Sequence, residues 1–172
     1  MTAGTGALPL WQHSAQMVLT GCGRQELLER PLQGFLASRQ CPGAAIRAAM
    51  DWAIQQAASQ QTVVSGFHSP LEQSVLAVLL QARCPVVVVL ARPVEGARLP
   101  PPWRAVLADG RMAVVSEVER GARLTEGLAA ARNQLVGRLA TDLVLAHAAP
   151  GGQLAHLSEQ WRGQGRSLFV LG

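Results

Sequence analysis

The sequence contains no lysine and no tyrosine, and Asn133 is its sole asparagine. Without an amine side chain there is no Schiff base, no pyridoxal anchor and no Walker-type phosphate lysine. Without a phenol there is no tyrosine acid or base. Cysteine is sparse: Cys22, Cys41 and Cys84 are odd in number and show no paired spacing. Thiolate zinc sites need close pairs, so no metal is expected, and reduced thiols in a cytoplasmic protein fit this usage. Charge is scarce as well. Charged residues make up 15% of the chain and hydrophobic ones 49%, the reverse of a disordered segment. Long apolar runs are missing: the longest, around Val86 to Ala91, is far too short to span a bilayer. No basic stretch followed by an apolar one opens the chain, so neither a signal peptide nor a membrane partner is expected.

What is present is enough for one domain. At 172 residues the chain can bury a sizeable core without staples. Its 15 basic residues are all arginine, set against 11 carboxylates for a net charge of +4. The arginines form no run. Spread out, they make a mildly basic surface; gathered by folding at one mouth, they would grip phosphates bidentately. The apolar richness also leaves room for a homodimer.

Along the chain, short apolar runs alternate with helical spacing. Residues 1–16 read as an irregular arm, and 17–172 as the domain. Met17 to Thr20 reads as a strand ending at Gly21-Cys22-Gly23-Arg24. Residues 25–39 read as helical, divided by Pro31, whose ring removes a backbone donor. Ala44, Ile46, Ala49, Met50, Ala53 and Ile54 recur at helical spacing from Gly43 to Ser59. Thr62-Val63-Val64 is a second strand. Ser69-Pro70-Leu71-Glu72 is a capping box with proline at the first helical position, and that helix runs to Arg83. Pro85 to Leu90 is apolar at consecutive positions, as in a strand covered on both faces. A short helix from Pro100 to Leu107, a strand at Met112–Val115, a helix at Leu124–Leu139, a strand at Asp142–Ala146, a helix at Gly151–Trp161 and a strand at Leu168–Leu171 complete the alternation. No hairpin signal separates two strands. The pattern predicts an α/β, Rossmann-like, doubly wound and mainly parallel sheet of about six strands, with helices on both faces.

Ligands of such sheets bind beyond the carboxyl ends of the strands. That rule selects four groups. Gly21, Gly23 and Arg24 form either an anion-approaching loop with an arginine clamp or a plain tight turn. Ser65, Gly66, His68 and Ser69 precede a helix whose unpaired N–H groups would favour phosphate, although Ser69 competes as the cap. His147 closes a strand, and Gly151, Gly152 and Gln153 follow it as an anion nest or a turn. Arg132 and Asn133 are read as beginning a helical segment aimed at the same edge. No catalytic set and no cofactor motif stands out.

Four segments in order resemble the DNA-processing protein A (DprA/Smf) family of Rossmann-like domains. Leu19 to Arg24, "LTGCGR", is similar to its opening Val-Gly-Ser-Arg turn. Val63 to Leu80 is similar to its valine-valine-Ser-Gly loop and helix. Arg132 to Leu157 resembles its Arg-Asn helix, strand and small-residue turn, and Gln164 to Gly172 its closing Gln-Gly-Arg and last strand. The resemblance implies that Arg132 and Asn133 line the pocket. It also implies a nucleotide- or single-stranded-DNA-binding domain that holds phosphates at the sheet's carboxyl edge, in DNA processing or uptake. The wider superfamily includes the LOG nucleotide hydrolases, whose Pro-Gly-Gly opening is matched by Pro150-Gly151-Gly152. They supply the alternatives: a nucleoside monophosphate phosphoribohydrolase, or a nucleotide-sensing domain without catalysis.

Overall fold

The computed structural model describes residues 8–14, 17–123, 125 and 127–171. They form a single sheet of strands β1 (Leu10–Ser14), β2 (Val18–Gly23), β3 (Gln33–Ala37), β4 (Val63–Ser65), β5 (Val86–Val89), β6 (Met112–Ser116), β7 (Asp142–His147) and β8 (Leu168–Val170). Helices α1 (Gly43–Ser59), α2 (Pro70–Gln81), α3 (Trp103–Ala108), α4 (Gly127–Leu139) and α5 (Gln153–Gly163) cover it. Across the sheet the order is β1-β2-β6-β5-β4-β3-β7-β8. The six strands from β3 to β8 run parallel to one another. Strand order reverses at β3: the chain moves to β4 on one side and returns to β7 on the other. That reversal is the crevice where open α/β sheets bind ligands.

The valine run shows why these segments are strands. Val86, Val87, Val88 and Val89 are all buried. Val86 and Val88 face the layer of α1, α2 and α3, while Val87 and Val89 face α4 and α5. Alternation of side chains along a strand supplies both faces, and each buried valine stabilises the fold by about 1.5–3 kcal/mol relative to exposure. Phe35 of β3 stacks on Trp52 of α1 at 4.9 Å between centroids, which seats α1 over the middle of the sheet.

Two expectations are corrected. Among the described residues the strands number eight instead of about six, because part of the predicted arm, Leu10–Ser14, pairs with β2 and because Gln33–Ala37 is a strand as well; residues 1–7, 15 and 16 of that arm lie outside the described ones. The sheet is mainly parallel, as expected, with β2 running antiparallel to both β1 and β6. Residues 25–39 are not a divided helix but a 3-10 turn at Gln25–Glu29 followed by β3. Leu27, Leu32, Phe35 and Leu36 are all buried, and their spacing suits a helix as well as a turn joined to a strand. The helix expected from Leu124 is described from Gly127; Leu124 lies outside the described residues.

Candidate functional site

β3 lies between β4 and β7 in the parallel sheet, so the loops after these three strands are neighbours at one rim. Ser38 ties two of them together. Its backbone N–H donates to the His147 carbonyl at 2.9 Å, and its hydroxyl accepts from the Ala149 N–H at 2.8 Å. Glu72 ties the third. One carboxylate oxygen accepts from the Ala37 N–H at 3.0 Å, and the other from the N–H groups of His68 and Ser69 at 2.9 and 3.2 Å. Glu72 is 4% exposed. A buried carboxylate is tolerated when amides satisfy its lone pairs. Here the capping residue of α2 also locks β3 to β4.

Three helices begin at this rim, and their ends differ. The α2 end is closed. Ser69 accepts from the Glu72 N–H, Glu72 returns the bond, and the Phe67 N–H donates to the Ser65 hydroxyl. In the anion nest expected at Ser65, Gly66, His68 and Ser69, the amides of Phe67, His68 and Ser69 are therefore engaged from within. At α1 and α5 the caps are Pro42 and Gly152, and neither supplies a side-chain bond. First-turn amides have no acceptor inside a helix. Those at Gly43 and Gln153 begin beside exposed residues, and the helix dipole adds partial positive charge there. Arg39 is exposed on the loop joining β3 to α1, and Arg47 is exposed one turn further on.

The other expected residues divide into two groups. His147 ends β7, half-buried, and lines a cavity of about 440 Å³ between the start of α1 and α5, together with Glu159 and Arg162. Gly151, at φ +71°, turns the chain toward the cap at Gly152 and the first α5 residue, Gln153. Arg132 and Asn133 do not begin a helix; they lie half-buried in the middle of α4. Arg132 reaches the rim from below, against Gly66. Burial lowers the pKa of its guanidinium, and the charge of Glu72 works the other way.

Gly21, Gly23 and Arg24 stand at the opposite end of the sheet. Because β2 runs antiparallel, Gly23 pairs with Ala113 near the start of β6. The Arg24 N–H donates to the Met112 carbonyl at 3.0 Å, and its guanidinium approaches the Gly110 carbonyl at 3.4 Å. These three residues do not share the rim with Gly151 and Gly152. The small-Ser-Arg turn after the first parallel strand is instead Ala37-Ser38-Arg39, which the sequence reading missed. Its signal was present: the apolar run Phe35-Leu36-Ala37 followed directly by Ser-Arg. A helix assigned across 25–39 concealed it. Cys41 is on the same loop, its thiol donating to the Ser38 carbonyl at 3.2 Å; burial first, then Glu72, pushes its pKa up.

A family model described as DNA recombination-mediator protein A matches residues 9–171. No curated protein sequence matches the chain. Among solved structures, DNA processing protein A of Streptococcus pneumoniae superposes with a TM-score of 0.75 at 18% identity, over 96% of this chain and 63% of that one. The chain thus spans less than two-thirds of that protein. A Helicobacter pylori DNA processing protein A, described for its single-stranded DNA binding mode, superposes with a TM-score of 0.75 at 16% identity, over 95% of this chain and 80% of that one. The molybdenum cofactor binding protein of Rippkaea orientalis shares the fold at a TM-score of 0.54 and 12% identity, over 82% of this chain and 76% of that one.

Proposed function

The chain belongs to the DNA recombination-mediator protein A family, and from that premise we propose that it is a DNA-processing domain that binds single-stranded DNA by its phosphates along the rim formed by β3, β4 and β7. The observation that carries this reading is the pair of helix starts, α1 and α5, without side-chain caps, on either side of the Ser38-Arg39 turn. Such ends attract anions through open amides and the helix dipole, and an exposed arginine between them adds a bidentate donor. Ser38 holds the two loops at a set separation through its bonds to His147 and Ala149. A chain of phosphodiesters suits a row of such sites better than one isolated nest does. The single-stranded DNA of the Helicobacter pylori relative's description is the ligand of this chemistry that the reading adopts.

The test is fluorescence anisotropy of a labelled oligothymidylate across a salt series. Affinity falls steeply as salt rises, because each neutralised phosphate releases counterions. Arg39→Ala weakens binding and reduces the salt slope by about 1, whereas Arg24→Ala, at the far end of the sheet, leaves both unchanged. A flat salt response, or a loss at Arg24 with none at Arg39, overturns the assignment.

A further inference from the structure

The Ser38-Arg39 turn leaves the sheet where the ladders on both sides of β3 give out. On the β7 side, Leu36 stands opposite Leu145 but Ala37 stands opposite His147, so the register skips Ala146. Slips of this kind re-aim the residues that follow. On the β4 side, pairing is confined to Gln33 and Gly34. The Gln33 N–H donates to the Thr62 carbonyl there, and N–H groups two residues apart along a strand point to the same side. The Ala37 N–H therefore faces the β4 side, beyond the paired residues. A buried amide without an acceptor is costly, and Glu72 supplies the acceptor from α2 at 3.0 Å. Its other carboxylate oxygen is held by the His68 and Ser69 amides, which fixes the carboxylate in place for Ala37. Glu72 itself is buried, whereas Arg39, two residues beyond Ala37, is exposed.

We propose that Glu72 is a positioning residue for the phosphate rim: by holding the Ala37 amide it sets where the Ser38-Arg39 turn leaves the sheet, and so aims Arg39 at the DNA. The proposal rests on the rim reading and adds to it a residue that does not touch the ligand. Charge and positioning predict opposite signs for the loss of this carboxylate. A carboxylate near phosphates repels them, and Glu72 also offsets the charge of Arg132. On charge alone, Glu72→Gln binds DNA more tightly. On positioning it binds more weakly, because Arg39 loses its aim.

The experiment is an anisotropy titration of labelled oligothymidylate into the wild-type chain, Glu72→Gln, Arg39→Ala and the double variant. Glu72→Gln weakens binding about fivefold, the scale of one hydrogen bond, and lowers the salt slope by about 1, as loss of the Arg39 contact does. In the Arg39→Ala background the same substitution causes no further loss, since the two residues act as one unit. Val75→Ala, a cavity at a fully buried position of the same helix, leaves affinity unchanged, which separates positioning from lost stability. Tighter or unchanged binding in Glu72→Gln, a loss that adds to that of Arg39→Ala, or an equal loss in Val75→Ala overturns the proposal and leaves the rim reading standing. Wild-type binding by Arg39→Ala overturns the rim reading, and this proposal with it. Should Glu72→Gln fail to fold, amide exchange in the wild-type chain decides. Coupling is reciprocal, so saturating oligothymidylate slows exchange at Ala37, and no change there overturns the proposal.

Discussion

Gly23-Arg24 at the end of β2 and Gly151-Gly152 at the end of β7 are both glycine turns that close a buried strand, yet they stand at opposite ends of the sheet. The β2 turn is packed. Gly23 sits at φ +86°, and a Cβ there would run into the Met112 carbonyl and the side chain of Leu107. The β7 turn is open. Gly151 has a similar φ of +71°, but nothing lies within 4 Å of the Cβ it lacks. At the β2 flank, glycine is required by close backbone approach and the arginine beside it serves the next strand. At the parallel rim, glycine leaves a helix start exposed. A glycine turn acquires its meaning from the direction of its strand relative to its neighbours.

The largest expected effect sets these two turns against each other. Gly23→Ala meets both positive φ and a backbone collision, and costs about 3 kcal/mol in urea unfolding. Gly151→Ala meets the φ penalty alone and costs about 1 kcal/mol. Equal losses at the two positions would break the distinction between packed flank and open rim.

A second substitution sharpens the rim side. Glu72→Gln keeps the shape but replaces a charged acceptor of three amides with one carbonyl and an amide donor. It destabilises by about 2 kcal/mol, the scale of hydrogen bonds to a charged group. Amide exchange at Ala37, His68 and Ser69 accelerates together, since all three N–H groups bond to this one side chain. Faster exchange at Ser69 and His68 alone would show that Glu72 caps α2 without holding β3.

The smallest effect is in thiol reactivity. At pH 8, dithionitrobenzoate modifies Cys41 of the half-buried rim loop in the native protein, while Cys22 of β2 and Cys84 react only after unfolding. Burial pushes the Cys84 pKa up from 9.0 to about 11. A raised pKa favours the protonated thiol in the folded state. Its contribution to stability is therefore complete below pH 9 and is lost as pH climbs through 11. The urea midpoint of the wild-type chain declines across that window more than that of Cys84→Ala. Rapid native-state labelling of Cys22 would mean that the flank is looser than the rim.

Legibility in the sequence followed the range of the interactions. The capping box at Ser69-Pro70-Leu71-Glu72 was readable because all its partners lie within one helical turn. The β5 valines were readable because burial on both faces leaves an unbroken apolar run. Ser38-Arg39 was hidden because the buried positions at 27, 32, 35 and 36 fit either a helix or a turn plus strand. The bond that ties the α2 cap to β3 was hidden for another reason: the second carboxylate oxygen of Glu72 reaches Ala37, a residue 35 positions away. A still longer separation in sequence hid the contact of Arg132 with the Gly66 slot that receives it.

By itself, the sequence determined the alternating α/β plan, the caps, and the identity of the continuous apolar strands, because each follows from the spacing of near neighbours along the chain. Only the tertiary structure decided which turns share a rim, which helix ends remain open, and where Arg132 lies. Those outcomes rest on the antiparallel pairing of β2 and on the reversal of strand order at β3. Both are contacts between residues remote in sequence, and periodicity carries no record of strand direction.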